Sequence, residues 1–209
     1  MKLVDLVRRL AEPLKEPSIG DPFLGGFYVG KYLLNAITYY LIVADKSSEV
    51  ATRWSNSSAT GATSPSDGMA NTQLIVASTT SSAALVCTQY VDTSGNNDYY
   101  LPSINELALA YHNLKPDSTE NNTQSDTANS NAVPSYPANT TNTPTTTKAA
   151  AFQAGGAQAF ETSYYWSSVE ASSTTANRLF FQSDLRTTAS KSISTGGRVR
   201  PFRKVVAPS

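Results

Sequence analysis

The C-terminal part of the chain constrains the fold more than any other segment, because its pattern is that of three strands with polar connections. An aromatic segment, Tyr164–Glu170 (YYWSSVE), is followed by an apolar segment at Arg178–Gln182 and by a basic, aromatic segment at Arg198–Arg203 (RVRPFR). Aromatic and β-branched residues favour strands, and the Ser-, Thr- and Asn-rich stretches between them favour loops. The pattern predicts a small antiparallel sheet with long, irregular connections.

A hairpin and a capped helix are predicted upstream of this sheet. Phe27–Tyr32 and Ile37–Val43 are aromatic and β-branched, as strands prefer, and Asn35 lies between them as the turn residue. Ser103, followed three residues later by Glu106, forms the capping-box pattern of a helix start. The apolar spacing predicts the buried face of this helix: Leu107, Ala110, Tyr111 and Leu114.

Three further helical segments are predicted from apolar runs between turn signals. The first covers Thr72–Ala77, and a second, short one runs as far as Val86. The third covers Ala149–Glu161, with Phe152 and Phe160 on its core face, although a Gly-Gly pair in its middle weakens it.

Three of these motifs in combination resemble the DUF1566 family, whose members include Lcl C-terminal-like domains. Leu101–Leu107 (LPSINEL) is similar to the LP-x-x-x-E-L helix start of that family. Tyr164–Glu170 is similar to its YWSS-x-E strand, and Arg198–Arg203 to the R-V-R-x-x-R strand that ends the domain. The resemblance covers most of the chain after about Gly25. It implies a C-type-lectin-like fold, which is common in phage structural proteins and bacterial surface adhesins.

We therefore expect an α+β, C-type-lectin-like domain with small antiparallel sheets, two main helices and long loops, preceded by a short N-terminal helix. The lectin-fold domain is expected to span residues 25–209, with a polar loop insertion at 117–147 that is too poor in apolar residues to fold by itself. Residues 1–24 would form an anchor helix and an extended neck. This helix would carry one apolar stripe, formed by Leu3, Val7, Leu10 and Leu14. We expect the stripe to dock either on its own domain or on an assembly partner.

Charge and composition exclude several classes of partner. The chain has 16 basic and 16 acidic residues, so its net charge is zero and we expect no binding to nucleic acid. Charged residues make up only 15% of the chain, against roughly 25% in typical proteins, so Ser, Thr, Asn and Gln must cover the surface. Asp5, Arg8 and Arg9 interrupt the apolar stretch that a secretory signal requires. We also expect no membrane insertion.

The residue types that carry most enzyme chemistry are scarce. Cys87 is the only cysteine and His112 the only histidine, so neither a thiolate cluster nor a histidine-rich metal site can form. Glu161, Glu170 and Asp184 flank the closing strands and could in principle supply a glycosidase pair, but acids are sparse around them. The triplets with which C-type lectins bind calcium, E-P-N and W-N-D, are absent. We expect no catalytic activity, no cofactor and no functional metal.

A ligand surface is predicted on the connections between the closing strands, since irregular loops on a rigid sheet commonly carry binding. Their hydroxyl, amide and basic groups could contact sugar hydroxyls or acidic groups. The candidate ligand-binding residues are Ser172, Thr175, Asn177, Arg186 and Lys191. Ordinary solvated loops are an equally good interpretation of each of them.

The arginines of the last motif are expected to be structural. At least one of Arg198, Arg200 and Arg203 should pair with a buried carboxylate such as Glu106 or Glu170. Tyr165 and Trp166 are expected in the core, because they are embedded in an alternating strand.

The functional prediction rests on the family resemblance. It implies a phage virion structural protein, made in the host cytoplasm and displayed as a fibre or tip adhesin that binds host surface polysaccharide. Expected partners are other virion proteins, further copies of the chain (a homotrimer is favoured) and a host cell-surface glycan. The alternatives are a capsid decoration or connector protein with only protein–protein contacts, a bacterial surface adhesin and a hypervariable ligand-binding protein.

Overall fold

The computed structural model describes residues 15–56, 59–80 and 82–208. Within these residues the chain forms two five-stranded sheets and three α-helices, which confirms the predicted α+β class at that level. None of these helices is long and apolar enough to cross a membrane. The predicted N-terminal helix lies outside the described residues, together with its apolar stripe of Leu3, Val7, Leu10 and Leu14.

The first sheet is built around the predicted hairpin. β2 (Gly26–Leu34) pairs antiparallel with β3 (Ile37–Val43), and the turn residues Asn35 and Ala36 have φ angles of 50° and 64°. Two successive positive φ angles are typical of the type I′ turn, whose twist matches that of the flanking strands. The prediction of both strands, with Asn35 in the turn, is confirmed.

Three short strands complete this sheet. β1 (Pro22–Phe23) pairs with the beginning of β2, and β5 (Ala132–Val133) pairs with Lys31 and Tyr32 further along it. β10 (Phe202–Val206) pairs antiparallel with β3, so the strand order is β1-β2-β3-β10.

The second sheet has the strand order β4-β9-β6-β7-β8, and its pairings are antiparallel except for the parallel contact between β6 and β9. The strands are β4 (Val50–Thr52), β6 (Tyr164–Glu170), β7 (Thr175–Phe180), β8 (Leu185–Ser190) and β9 (Gly197–Val199). β6 matches the predicted aromatic strand, and its Tyr165 and Trp166 are buried as expected. β8 occupies a stretch that was predicted to be a loop.

The segment Arg198–Arg203 is divided between the two sheets, which corrects the prediction of one closing strand. Val199 ends β9 in the second sheet, and Phe202 begins β10 in the first. Pro201 between them has no N–H and cannot donate to a strand ladder. Its carbonyl instead accepts a hydrogen bond of 2.9 Å from the Ala44 amide. The segment therefore connects the two sheets.

The capped helix lies between the sheets. The helices are α1 (Gly68–Ser78), α2 (Ala83–Thr88) and α3 (Ile104–Leu114), and the first two agree with the predicted helical segments. α3 begins with the predicted capping box of Ser103 and Glu106. It contacts β2 of one sheet and both β6 and β7 of the other, which explains why Ala108 and Leu109 are buried in addition to the predicted face.

The helix predicted over Ala149–Glu161 is wrong. Only a 3-10 turn, Ala150–Phe152, forms there, and Gly155 has a φ angle of 80° that ends any helical path. A Cβ on Gly156 would lie 2.5 Å from the Ala151 carbonyl oxygen, so the chain turns back tightly onto the 3-10 turn. Phe152 and Phe160 are nevertheless buried, as the apolar pattern predicted.

Buried asparagines hold the polar insertion 117–147 against the body. The Asn121 side chain accepts from the Tyr111 hydroxyl at 2.6 Å and from Lys115 Nζ at 2.8 Å, and it donates to the carbonyl of Thr140. Asn129 donates to the carbonyl of Asn105 at the beginning of α3. The insertion is therefore organised by amide hydrogen bonds in place of an apolar core of its own.

The segment 15–24 packs on the body, although it was predicted as an extended neck. Glu16 forms an ion pair with Lys31 at 2.5 Å and accepts from the Tyr28 hydroxyl at 2.9 Å. The Gly20 amide donates to the Tyr28 carbonyl, and Ile19 packs against the main core. This core joins α3 to both sheets, and a second, smaller core surrounds Trp54, Trp166 and the buried Cys87.

Candidate functional site

The predicted ligand residues separate into two groups at opposite ends of the β7–β8 hairpin. Thr175 pairs with Ser190 at one end, and Leu179 pairs with Arg186 near the other. Ser172 is exposed in the turn before β7, where its hydroxyl accepts from the amides of Thr174 and Thr175. Thr175 and Asn177 are half-buried within β7, so they belong to a strand and not to the loop in which they were predicted.

Lys191 is engaged inside the protein. Its side chain is 3% exposed and forms an ion pair with Glu170, and its ammonium also donates to the carbonyl of Ser173 at 3.1 Å. Glu170 accepts further hydrogen bonds from the amides of Thr60 and Gly61, at 3.0 and 2.8 Å. Burial would raise the pKa of Glu170, but the Lys191 ammonium and these hydrogen bonds together hold it below its usual value. The ion pair joins the end of β6 to the residue after β8, and the amide hydrogen bonds join the end of β6 to the segment before α1.

Arg186 is likewise occupied by a buried cluster. Its guanidinium forms ion pairs with Asp184, at 3.0 Å, and with Asp126, and both of these carboxylates are almost completely buried. The side-chain amide of Asn139 donates to Asp184 at 2.7 Å, and the backbone N–H of Asn139 donates to Asp126. The cluster fastens the polar insertion to the beginning of β8.

The closing arginines are structural, but their partners differ from those predicted. Arg198 pairs with Glu49 at 3.4 Å, a carboxylate whose side chain is 3% exposed. Arg200 is buried and donates to the backbone carbonyls of Ala44 and Gln158, both at 2.8 Å. Arg203 pairs with Asp98. Among the described residues, no arginine pairs with Glu106 or Glu170, because Glu106 serves the helix cap and Glu170 binds Lys191.

Glu106 has the structural role that the capping pattern indicated. Its carboxylate accepts from the Ser103 amide and the Tyr100 hydroxyl, both at 2.7 Å, and from the Gly68 amide at 3.2 Å. It is completely buried, and burial raises its pKa. His112 is partly buried and stacks on Tyr136 at 3.8 Å. In the described part of the chain, no group of three or more His, Cys, Asp or Glu residues is placed to hold a metal ion.

A groove that the sequence did not indicate has the composition of a ligand site. It has a volume of about 620 Å³ and lies between the β1–β2 turn, the residues after β3 and the segment after α2. Three aromatic residues are among its lining, Phe23, Phe27 and Tyr90, and each is half-buried. We call this site the aromatic groove.

Buried rings behind the aromatic groove hold its three rings in place. Phe23 meets Tyr40 edge to face at 5.5 Å, and Phe27 meets Phe152 in the same way at 5.5 Å. Tyr90 meets Tyr99 at 4.8 Å with an interplanar angle of 84°. Edge-to-face packing of this kind restricts the rotation of each ring.

Polar groups converge on the same groove from other segments. Asp45, Ser47 and Thr93 line it, and Asp45 accepts from the Ser47 amide at 2.8 Å and from Gln158 Nε2 at 2.7 Å. Burial alone would raise the pKa of Asp45, but these hydrogen bonds and the nearby Arg200 lower it below its usual value. Burial and the Asp45 charge raise the pKa of Tyr90. The groove thus presents an ionised carboxylate beside a neutral phenol.

Gly25 and Gly26 allow the β1–β2 turn to close the groove. Gly25 has a φ angle of 89°, and a Cβ there would lie 1.7 Å from Asp92 Oδ2. A Cβ on Gly26 would lie 2.4 Å from the Val43 carbonyl oxygen. The Gly-Gly pair between two phenylalanines is a local turn signal and does not by itself indicate a ligand site. The other components of the groove come from positions that are distant in the chain.

A larger groove of about 730 Å³ lies between residues 18–21, the end of α3 and residues 143–150. It offers the hydroxyls of Thr145 and Thr146, but His112 supplies its one aromatic ring. Size alone does not make a ligand site, whereas aromatic rings combined with a few convergent polar groups do. We therefore take the aromatic groove as the candidate site.

Comparison with known proteins gives no family assignment: no family model and no curated protein matches this chain.

Proposed function

We propose that this protein is a structural protein of a phage virion, displayed as a fibre or tip, and that it binds host surface polysaccharide through the aromatic groove. The composition of that groove carries the binding part of the proposal. A sugar ring has a face of C–H groups and a rim of hydroxyls. The rings of Phe23, Phe27 and Tyr90 match the face, and Asp45, Ser47 and Thr93 can hydrogen-bond the rim.

The motif resemblance supports the virion part. The LPSINEL, YYWSSVE and RVRPFR segments resemble those of DUF1566, C-type-lectin-like domains, which are common in phage structural proteins. The low proportion of charged residues, 15%, also fits a neutral surface rich in hydroxyls and amides. Display of the chain as a homotrimer would convert a weak contact with each sugar unit into firm attachment through avidity.

Substitution within the groove tests the proposal. Tyr90→Ala removes one wall of the groove and should weaken retention on purified host polysaccharide at least about tenfold, whereas Tyr90→Phe keeps the ring and should lose less. The hairpin-turn variant Ser172→Ala/Thr175→Ala tests the surface predicted from the sequence and should retain binding. Thermal unfolding of each variant checks that the fold survives.

Two results would overturn parts of the proposal. If the Ser172 and Thr175 variant loses retention while Tyr90→Ala keeps it, the hairpin turn is the binding surface and the groove is not. If neither isolated protein nor intact particles adhere to host cells or glycans, the adhesin role is wrong. A decoration or connector protein then becomes the better description, and its position on the capsid lattice in a particle reconstruction would support that description.

A further inference from the structure

Asp45 is the one charged residue among the described residues that line the aromatic groove. The rest of this lining is apolar, glycine or neutral and polar, so it contains neither lysine nor arginine. A charged group of a ligand in the groove would therefore meet one negative charge and no positive one. Since the net charge of the whole chain is zero, this local charge decides which ligand charges the groove favours.

Two protein donors hold the Asp45 carboxylate in place. Its Oδ1 accepts from the Ser47 amide at 2.8 Å, and its Oδ2 accepts from Gln158 Nε2 at 2.7 Å. The orientation of the Gln158 amide is determined, because its oxygen accepts from the Lys46 amide at 2.8 Å and from Arg200 Nη2 at 2.6 Å. A carboxylate can accept about four hydrogen bonds, so these two leave acceptor capacity for a ligand.

The basic side chains that adjoin the groove have other partners. The Lys46 ammonium forms an ion pair with Glu161 at 2.8 Å, and Arg203 pairs with Asp98. Arg200 is buried, and its guanidinium donates to two backbone carbonyls at 2.8 Å. Within the described residues, none of these three cations forms an ion pair with the groove carboxylate. That carboxylate therefore has no ion-pair partner of its own before a ligand binds.

We propose that the aromatic groove selects sugar units that carry a free, protonated amino group and that Asp45 determines this specificity. The inference rests on the proposed function and names the class of sugar. An ammonium group can donate to the Asp45 carboxylate, and charge-assisted hydrogen bonds of this kind are stronger than neutral ones. A carboxylate or phosphate on the sugar would face Asp45 without a basic partner, and like charges opposed in this way disfavour binding.

Oligomers of glucosamine and of glucose with the same linkage test the specificity, because their units differ only in an amino group in place of one hydroxyl. At mildly acidic pH the amine is protonated, and Asp45 is ionised because its pKa lies below the usual value. In isothermal titration calorimetry the glucosamine oligomer should bind wild type about tenfold more tightly, the factor supplied by one hydrogen bond to a charged group. An oligomer of glucuronic acid should bind most weakly.

Asp45→Asn removes the charge and should abolish the preference, so that the Kd values of the glucosamine and glucose oligomers agree within about twofold. Asparagine is also a good N-cap and can still accept from the Ser47 amide. Glu120→Gln removes the same charge from an exposed position outside the groove and should keep the preference. If thermal unfolding shows that Asp45→Asn does not fold, added salt tests the wild type instead. Salt should weaken binding of the glucosamine oligomer and leave the glucose oligomer unchanged.

The outcomes separate this inference from the proposed function. Equal affinity of wild type for the two oligomers, or a preference that survives Asp45→Asn or added salt, would refute the specificity and leave sugar binding intact. Retention of purified host polysaccharide without binding of the glucosamine oligomer would overturn the specificity alone. If wild type retains neither the oligomers nor the polysaccharide, the proposed function itself fails, and the specificity fails with it.

Discussion

Replacing Asp184 with asparagine should remove a pH-dependent loss of stability that the wild-type protein carries. The Asp184 side chain is 1% exposed and shares the Arg186 guanidinium with a second buried carboxylate, Asp126. Burial is the main cause of its raised pKa, and Asp126 adds to the effect, while Arg186 opposes it. The result is a pKa of about 7, compared with the ordinary value of 3.8.

The sign follows from the raised pKa. The folded state favours the protonated form of Asp184, so this contribution to stability is complete below the unfolded value of 3.8 and is lost as the pH rises through about 7. Integration of the linkage relation between about pH 5 and about pH 8 gives a loss of about 3 kcal/mol in the unfolding free energy. Contributions from other titrating groups are common to the wild type and the variant and cancel in the difference.

Asp184→Asn is a well-matched substitution. Asparagine stays neutral, accepts hydrogen bonds from Arg186 and Asn139, and tolerates the left-handed backbone at this position, where φ is 58°. The unfolding free energy of the variant minus that of wild type should therefore increase by about 3 kcal/mol from about pH 5 to about pH 8, because the wild type loses stability and the variant does not.

Urea unfolding at each pH measures this difference, with the fluorescence of the buried Trp54 and Trp166 as the signal. Glu120→Gln, an exposed position in the same polar insertion, is the control and should run parallel to wild type. If the stability of Asp184→Asn also stays parallel to that of wild type across this pH range, Asp184 is ionised throughout. The reasoning from burial would then fail.

Two other buried carboxylates give further predictions. Glu106→Ala removes the acceptor for the Ser103 amide, the Gly68 amide and the Tyr100 hydroxyl, and should lower the unfolding free energy by about 3–5 kcal/mol in urea titrations. A loss below about 1 kcal/mol would contradict the capping role. Lys191→Met leaves Glu170 buried without its ammonium and should cost about 3 kcal/mol. Adding Glu170→Gln should recover part of that loss, and purely additive losses in the double-mutant cycle would show that the two side chains do not interact.

Features that depend on neighbours in the chain were predictable from the sequence. The hairpin around Asn35 follows from two β-branched, aromatic runs and a turn residue that tolerates positive φ. The start of α3 follows from Ser103 and Glu106, which cap each other within one turn. Burial of Tyr165 and Trp166 follows from alternation along a strand. In each case the deciding interactions lie within a few residues.

The errors arose where partners are distant in the chain. Ala149–Glu161 has an apolar spacing suited to a helix, but its two phenylalanines reach the core from an irregular path. Lys191 resembles a solvated loop residue until Glu170, which is distant in sequence, is placed beside it. The aromatic groove is assembled from three separate segments, so no local pattern could indicate it.

The sequence by itself therefore determined the secondary elements with strong local signals, the α+β class and the aromatic residues of the core. Tertiary structure alone decided that RVRPFR joins two sheets, that Arg186 and Lys191 are held by buried carboxylates, and that Phe23, Phe27 and Tyr90 share one groove. The physical reason is that caps, turns and alternation act within a few residues. Ion-pair partners and groove walls are chosen by packing, which brings together side chains that are far apart in the chain.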